Sequence, residues 1–244
     1  ELARVPAERS GIAGRQPFED GAFVGAINGE IYNVRELAAR CGLRGEGICD
    51  TEVVLPMFVQ LGPSVIHLLD GFYSGIIVDR NAEEAFCLRD HMGKKPLFVG
   101  RSNGDLFITS ELKALKELDW FNMLPRGITR IDLSTGQTDL LQEHRLSGCQ
   151  GSLQHLMEEA VIKRLPDDDE PLGLFLSGGL DSSIVAALAS SARDDINYYA
   201  LAGPESPDIS FVRLVVEALG LKQLRVIPPP LPSQIPDLIE RVVY

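Results

Sequence analysis

The sequence predicts two mixed parts in succession, an α+β arrangement over the first 140 residues or so and an α/β arrangement on a parallel sheet after it. Three observations carry this. In the first part, β-like runs surround a single helical pair. In the second, strand-like and helix-like runs alternate. Between them, from about 141 to 152, Gly148, Gly151 and polar residues gather, as they do where one compact body gives way to another. A chain of 244 residues has room for two modest cores.

The first part opens with Ala22 to Asn28, an apolar β-prone run, and continues with Val34 to Cys41 and Thr51 to Leu61, where Leu, Val and Met recur at helical spacing. The β-like runs Phe72 to Val78, Glu84 to Leu88, Leu97 to Arg101 and Leu106 to Thr109 follow, and Asn103-Gly104 predicts a two-residue hairpin between the last two. In the second part Leu153 to Leu165 predicts an amphipathic helix, Pro171 to Leu176 a strand and Ser182 to Ala192 an Ala-rich helix. Tyr198 to Ala202, Asp208 to Leu219 and Leu224 to Ile227 then predict strand, helix and strand, and the prolines at 228, 229, 230 and 232 a loop. Such alternation calls for right-handed crossovers, with ligands bound beyond the carboxyl ends of the strands.

Composition narrows the function classes. With 23 Lys and Arg against 35 Asp and Glu the net charge is -12, which repels phosphate backbones and anionic membrane surfaces, so neither nucleic acid nor membrane is expected as a partner. No apolar run approaches the length of a bilayer span. The four cysteines, Cys41, Cys49, Cys87 and Cys149, form no C-x-x-C pair and suit a reducing compartment, the cytoplasm or a reducing organelle; each is expected as a small buried hydrophobe. The acidic run Asp167 to Glu170 is expected as a solvated loop. The chain begins at Glu1 without a signal-type segment, and we expect it to be part of a longer translation product.

The most specific chemistry lies in Leu174 to Ser183, LFLSGGLDSS, where a strand ends and a helix begins, with Ser177 to Ser183 expected as a loop between a central parallel strand and a helix N-terminus. Gly178 and Gly179 permit a tight turn, and the first amides of the helix, with the Ser177, Ser182 and Ser183 hydroxyls, suit an anionic phosphate. Asp181 would repel that phosphate unless a cation lay between them, which makes it a candidate Mg²⁺ ligand. A plain helix cap with two turn glycines is the simpler alternative. The string lacks the lysine of a G-x-x-x-x-G-K-[ST] loop; it resembles the pyrophosphate loop of the ATP pyrophosphatases. Tyr199-Ala200-Leu201 followed by Ser206-Pro207-Asp208 is similar to the asparagine synthetase version of that fold. The resemblance implies an ATP site formed by Leu176, Ser177, Gly178, Gly179, Asp181, Ser182 and Leu201, with Leu176 and Leu201 at the adenine; core packing explains two strand-end leucines equally well. Ala202 departs from the glycine frequent in the family.

The first part extends the resemblance. Ile27-Asn28-Gly29-Glu30-Ile31-Tyr32-Asn33 matches a signature of the class II glutamine amidotransferase domain, and Asp50-Thr51-Glu52, Arg89 to Phe98 and Ser110 to Leu115 follow in family order. The chain therefore resembles glutamine-dependent asparagine synthetases. The resemblance implies an incomplete Ntn-hydrolase-like αββα sandwich over residues 1–145 and the first half of an ATP pyrophosphatase-type domain over residues 150–244. It also implies glutamine bound by Arg4, Asn28, Gly29, Glu30 and Asp50: Arg4 at the carboxylate, Glu30 and Asp50 at the ammonium, and the Asn28 side chain with the Gly29 amide as an oxyanion hole. Arg9 rivals Arg4, Asn28-Gly29 also reads as a hairpin turn, and solvated carboxylates would account for Glu30 and Asp50. Arg89 to Phe98, Ser110 to Leu115 and Gln16-Pro17-Phe18 are expected to serve the fold rather than a ligand.

The implied reaction uses ATP and Mg²⁺ with glutamine and aspartate, or a similar carboxylate, as small-molecule partners. A homodimer and a subunit of a larger assembly both stay open. The family's N-terminal cysteine nucleophile and its second glycine-acid loop do not occur in the chain, and no internal cysteine has the free α-amine that would serve as base. These 244 residues are thus expected to be inactive as a glutaminase. A non-catalytic relative and a synthetase for another carboxylate remain as alternatives.

Overall fold

The computed structural model describes residues 15–43, 48–114, 117–144, 148, 150–166, 170–203 and 206–243. They form two compact units that divide between Gly148 and Cys149. Arg4, Arg9, Cys149 and the acidic residues Asp167, Asp168 and Asp169 lie outside the described residues, as does Leu115.

In the first unit the chain runs through β1 (Phe18–Asp20), β2 (Phe23–Ile31), α1 (Val34–Cys41), a tight helical turn (Asp50–Val53) and α2 (Val54–Leu61). A second helical turn (Gly62–His67) leads to β3 (Gly71–Asp79), β4 (Glu84–Arg89), β5 (Phe98–Ser102), β6 (Asp105–Thr109), β7 (Trp120–Met123), β8 (Gly127–Asp132) and β9 (Thr138–Glu143). The strands make an antiparallel six-stranded sheet in the order β1-β2-β3-β4-β8-β9 and a smaller sheet in the order β6-β5-β7.

Alternation along the strands sets the layers. On one face of the large sheet Ile27, Ile31, Tyr73, Ile77 and Leu88 pack with Leu37 of α1 and Leu55, Met57 and Phe58 of α2. On the other, Ala85, Cys87 and Ile131 meet Leu97 and Val99 of the small sheet. Burial pushes the Cys87 thiol up to about 12, so it stays protonated and behaves as the small hydrophobe expected of it; Cys41 and Cys49 are only half-buried. Between β5 and β6 the turn residues Asn103 and Gly104 both have positive φ, as a two-residue hairpin requires.

The motif Arg89 to Phe98 is a fold determinant. Asp90 is fully buried, and its carboxylate accepts backbone N–H bonds from Tyr73, Met92, Lys94 and Lys95 at 3.0–3.3 Å. Arg89 donates to the carbonyls of Gly93, Lys95 and Leu124 at 2.7–3.0 Å. Gln16 serves likewise: its amide donates to the Ile27 carbonyl and accepts the Ile27 N–H, extending the ladder beyond β1.

The second unit comprises α3 (Leu153–Ile162), β10 (Gly173–Phe175), α4 (Leu180–Ala192), β11 (Asn197–Leu201), α5 (Asp208–Leu219), β12 (Leu224–Ile227) and α6 (Ile235–Val243). The strands form a parallel sheet in the order β10-β11-β12. Leu174, Leu176, Tyr198 and Ala200 of the sheet pack with Ala186 and Ala189 of α4 and Val212 of α5. Three expectations change. β10 is an outer strand, because β11 rather than β10 pairs on both sides; α3 stops at Ile162, short of Leu165; and α4 begins at Leu180, two residues ahead of Ser182, so that the loop expected over Ser177 to Ser183 ends at Gly179. Arg193, at 8% exposure, donates to the Pro166 and Glu170 carbonyls and pairs with Asp195, tying the segment before β10 to the α4–β11 connection. Its guanidinium holds the Asp195 carboxyl below the usual range. No helix among the described residues is long and apolar enough to cross a membrane.

Candidate functional site

Each unit carries a candidate site of its own. In the first, Asn28, Gly29 and Glu30 sit inside β2, paired with Ser74, Tyr73 and Phe72 of β3, so the hairpin-turn alternative for Asn28-Gly29 is overturned. The local turn signal loses to a nine-residue strand whose pairing with β3 runs through its whole length. With Ile27 and Ile31 directed to the core, Asn28 and Glu30 fall on the opposite face, Asn28 exposed and Glu30 half-buried.

Gly29 is required by close approach. Its φ is +152°, and a Cβ there would lie 2.1 Å from the Phe72 carbonyl oxygen and 2.6 Å from the Tyr73 Cα. Asp50 is fixed rather than freely solvated: its Oδ2 accepts the Ile31 N–H at 2.7 Å, which carries the carboxylate to the end of the Asn28–Glu30 segment. Asn33 completes the motif structurally, donating to the Leu68 carbonyl and accepting the Asp70 N–H. Phe72, across from Glu30, lies under the Lys94 ammonium at 4.2 Å from the ring centroid. Neither Phe72 nor Lys94 was picked out as a site residue from sequence; the only signal is the paired lysine in the Arg89 to Phe98 run.

In the second unit the chain leaves β10, turns through Leu176 to Gly179 and enters α4. Gly178 has φ +77°, and a Cβ there would come within 2.8 Å of the Phe211 Cβ and of the Val212 amide nitrogen, so the loop lies directly on α5. Ser177 and Ser182 hydroxyls lie 2.9 Å apart, and Ser182 Oγ accepts the Ser177 N–H at 3.2 Å. The first turn of α4 closes with the Ser183 N–H on the Gly179 carbonyl, which leaves the amides of Leu180, Asp181 and Ser182 ahead of that bond. Asp181 is exposed in the same turn. Leu176 is buried to 1% exposure in the core, so only its backbone is offered to a ligand, whereas Leu201 is 66% exposed at the carboxyl end of β11. Glycine without a Cβ at the turn, hydroxyls and helix-end amides together fit a polyphosphate. Among the described residues no three His, Cys, Asp or Glu side chains gather as a metal site.

Two family models divide the chain in sequence order. One, described as a glutamine amidotransferase domain, matches residues 7–117; the other, asparagine synthase, matches residues 152–244. Together they define an amidotransferase-type part followed by a synthase-type part. A probable glutamine-hydrolyzing asparagine synthetase of Acanthamoeba polyphaga mimivirus is 32% identical over 88% of this chain and 46% of its own length. The glutamine-hydrolyzing asparagine synthetases of Sandersonia aurantiaca and Zea mays are each 31% identical over 85% of this chain, and over 44% and 39% of their own lengths. The chain belongs to the asparagine synthetase family, and it spans less than half the length of these curated relatives.

Proposed function

We propose that the chain forms the glutamine-binding part and the first half of the ATP-binding part of a glutamine-dependent asparagine synthetase. Residues 1–145 are the amidotransferase-like domain, an incomplete αββα sandwich, and residues 150–244 the synthetase-type ATP-binding domain. The observation that supports this best is the loop from Leu176 to Gly179, held on α5 at Gly178 and opening on the first turn of α4.

In this reading Ser177, Gly178, Gly179 and Ser182 hold the phosphates of ATP, Asp181 holds Mg²⁺ between itself and those phosphates, and the Leu176 backbone and Leu201 side chain border the base. In the first unit Glu30 and Asp50 take the ammonium of glutamine and Arg4 its carboxylate. The Asn28 side-chain N–H and the Gly29 amide donate to the amide oxygen, where charge develops during hydrolysis. The ammonia released is used to amidate a carboxylate activated by ATP, that of aspartate in the family reaction.

Replacement of Asp181 by alanine is expected to abolish Mg-ATP binding in titration calorimetry, whereas replacing Asp194, exposed beyond the opposite end of α4, leaves it unchanged. Equal losses in the two variants would point to bulk electrostatics. Undiminished binding by Asp181→Ala would show that ATP does not use this loop.

A further inference from the structure

Three of the chain's four histidines meet at one corner of the first unit, where β9 ends. β9 is an outer strand, exposed along nearly its whole length, and it is the last strand before the chain passes to the second unit. Its ladder with β8 is irregular: Gln142 faces Ile128 and Leu140 faces Thr129, so Leu141 has no cross-strand partner. A groove of about 400 Å³, lined by His67, Leu141, Gln142 and Glu143, marks the same place.

Beyond that irregularity, side chains supplement the remaining ladder pairs. Gln142 Nε2 contacts His67 Nε2 of the turn Gly62–His67, and His144 Nε2 lies 3.3 Å from the hydroxyl of Tyr73, which is 1% exposed on β3. The His91 ring packs edge-on against His144 at 6.0 Å between centroids, and Arg126 donates to the His91 carbonyl at 3.2 Å. The charged or titratable groups around His144 are thus Tyr73, Asp90, His91, His67 and Arg126, with Glu143 beside it in sequence. Asp90 is the carboxylate among the described residues that acts on it from a packed element, and its oxygens already accept backbone N–H bonds.

We propose that His144 is the titrating part of an acid-released latch, which holds the end of β9 against Tyr73, with Gln142 on His67 of the turn Gly62–His67 beside it, while the His144 imidazole is neutral and frees it when that ring takes up a proton. A neutral His144 Nε2 accepts from the Tyr73 hydroxyl; a protonated one has to reverse that bond and donate to the hydroxyl oxygen, and it carries its charge in a half-buried position beside the His91 ring. Protonating more than one ring also places like charges together beside the Arg126 guanidinium. Burial first, then His91, lowers the His144 pKa from its ordinary value of 6.5, with His67 and Arg126 adding to the effect and Asp90 opposing it. Because the folded-state pKa is the lower one, the stabilisation is present above the ordinary value and is lost as pH falls through the folded one.

The test is hydrogen exchange of the 244-residue protein, with protection corrected for intrinsic rates. Between about pH 7.5 and about pH 5.5, protection of Leu140 to Glu143 is expected to fall about tenfold while Ala26 and Ile77 stay unchanged, and the fall should vanish in a His67→Gln, His144→Gln double variant. Constant β9 protection, or an equal fall in the double variant, overturns the latch. Imidazole ¹⁵N titration of the unmodified protein gives a second reading that needs no variant to fold. His144 is expected to titrate below the ordinary histidine value of 6.5, and titration at or above that value overturns the proposal.

Discussion

Gly29→Ala is expected to destabilise the first unit by roughly 3–5 kcal/mol, since overpacking and a positive-φ backbone each cost on the order of 1–3 kcal/mol. The added methyl would meet main-chain atoms of Phe72 and Tyr73, and neither can rotate away as a side-chain tip would. Relief requires β2 and β3 to separate within a ladder that runs unbroken from Phe23↔Asp79 to Ile31↔Gly71. Urea unfolding followed through Trp120, the sole tryptophan and a residue of β7, reads this unit. Gly21→Ala is the comparison, because Gly21 also has positive φ but nothing lies within 4 Å of a Cβ there. Equal losses in the two variants would mean that strain, not contact with β3, sets the cost.

Asp90→Asn is expected to cost roughly 3 kcal/mol by the same measurement, although it preserves shape. The two carboxylate oxygens divide the work: Oδ1 accepts from Met92 and Lys94, and Oδ2 from Tyr73 and Lys95. An amide must present N–H groups to one of those pairs, which leaves buried donors facing donors. Glu36→Gln, which breaks only the exposed Glu36–Arg40 pair on α1, should change little. An Asp90→Asn variant as stable as the parent would remove the loop from Asp90 to Lys95 as a determinant of the first unit.

What was legible in the sequence follows from how far each element depends on its own residues. Asp208 to Leu219 and Leu224 to Ile227 were readable to the residue, because a helical stripe and a short apolar run are local patterns. The strands β1, β7 and β9 were not. β7 is exposed throughout and β9 nearly so, and β1 is three residues long, so none shows the alternation that a buried face imposes. They exist because a neighbouring strand pairs with them. Asn28-Gly29 shows the same dependence in the other direction, its turn propensity giving way to pairing with β3. Near the second site the loop's position was legible from LFLSGGLDSS, but the contact that demands Gly178 comes from α5, thirty-odd residues later, and no spacing rule announces it. The placement of Leu176 in the core and Leu201 at the surface likewise depends on which side of the sheet α4 and α5 cover.

The most direct measurement of nucleotide binding at the Ser177 to Ser182 loop is amide chemical-shift mapping of the ¹⁵N-labelled protein titrated with Mg-ATP. Shifts concentrated on Ser177, Gly178, Gly179, Asp181, Ser182 and Leu201, with Asn28 to Ile31 unmoved, are the expected result. Shifts centred elsewhere in the chain, or a loop that stays silent at saturating nucleotide, would contradict it.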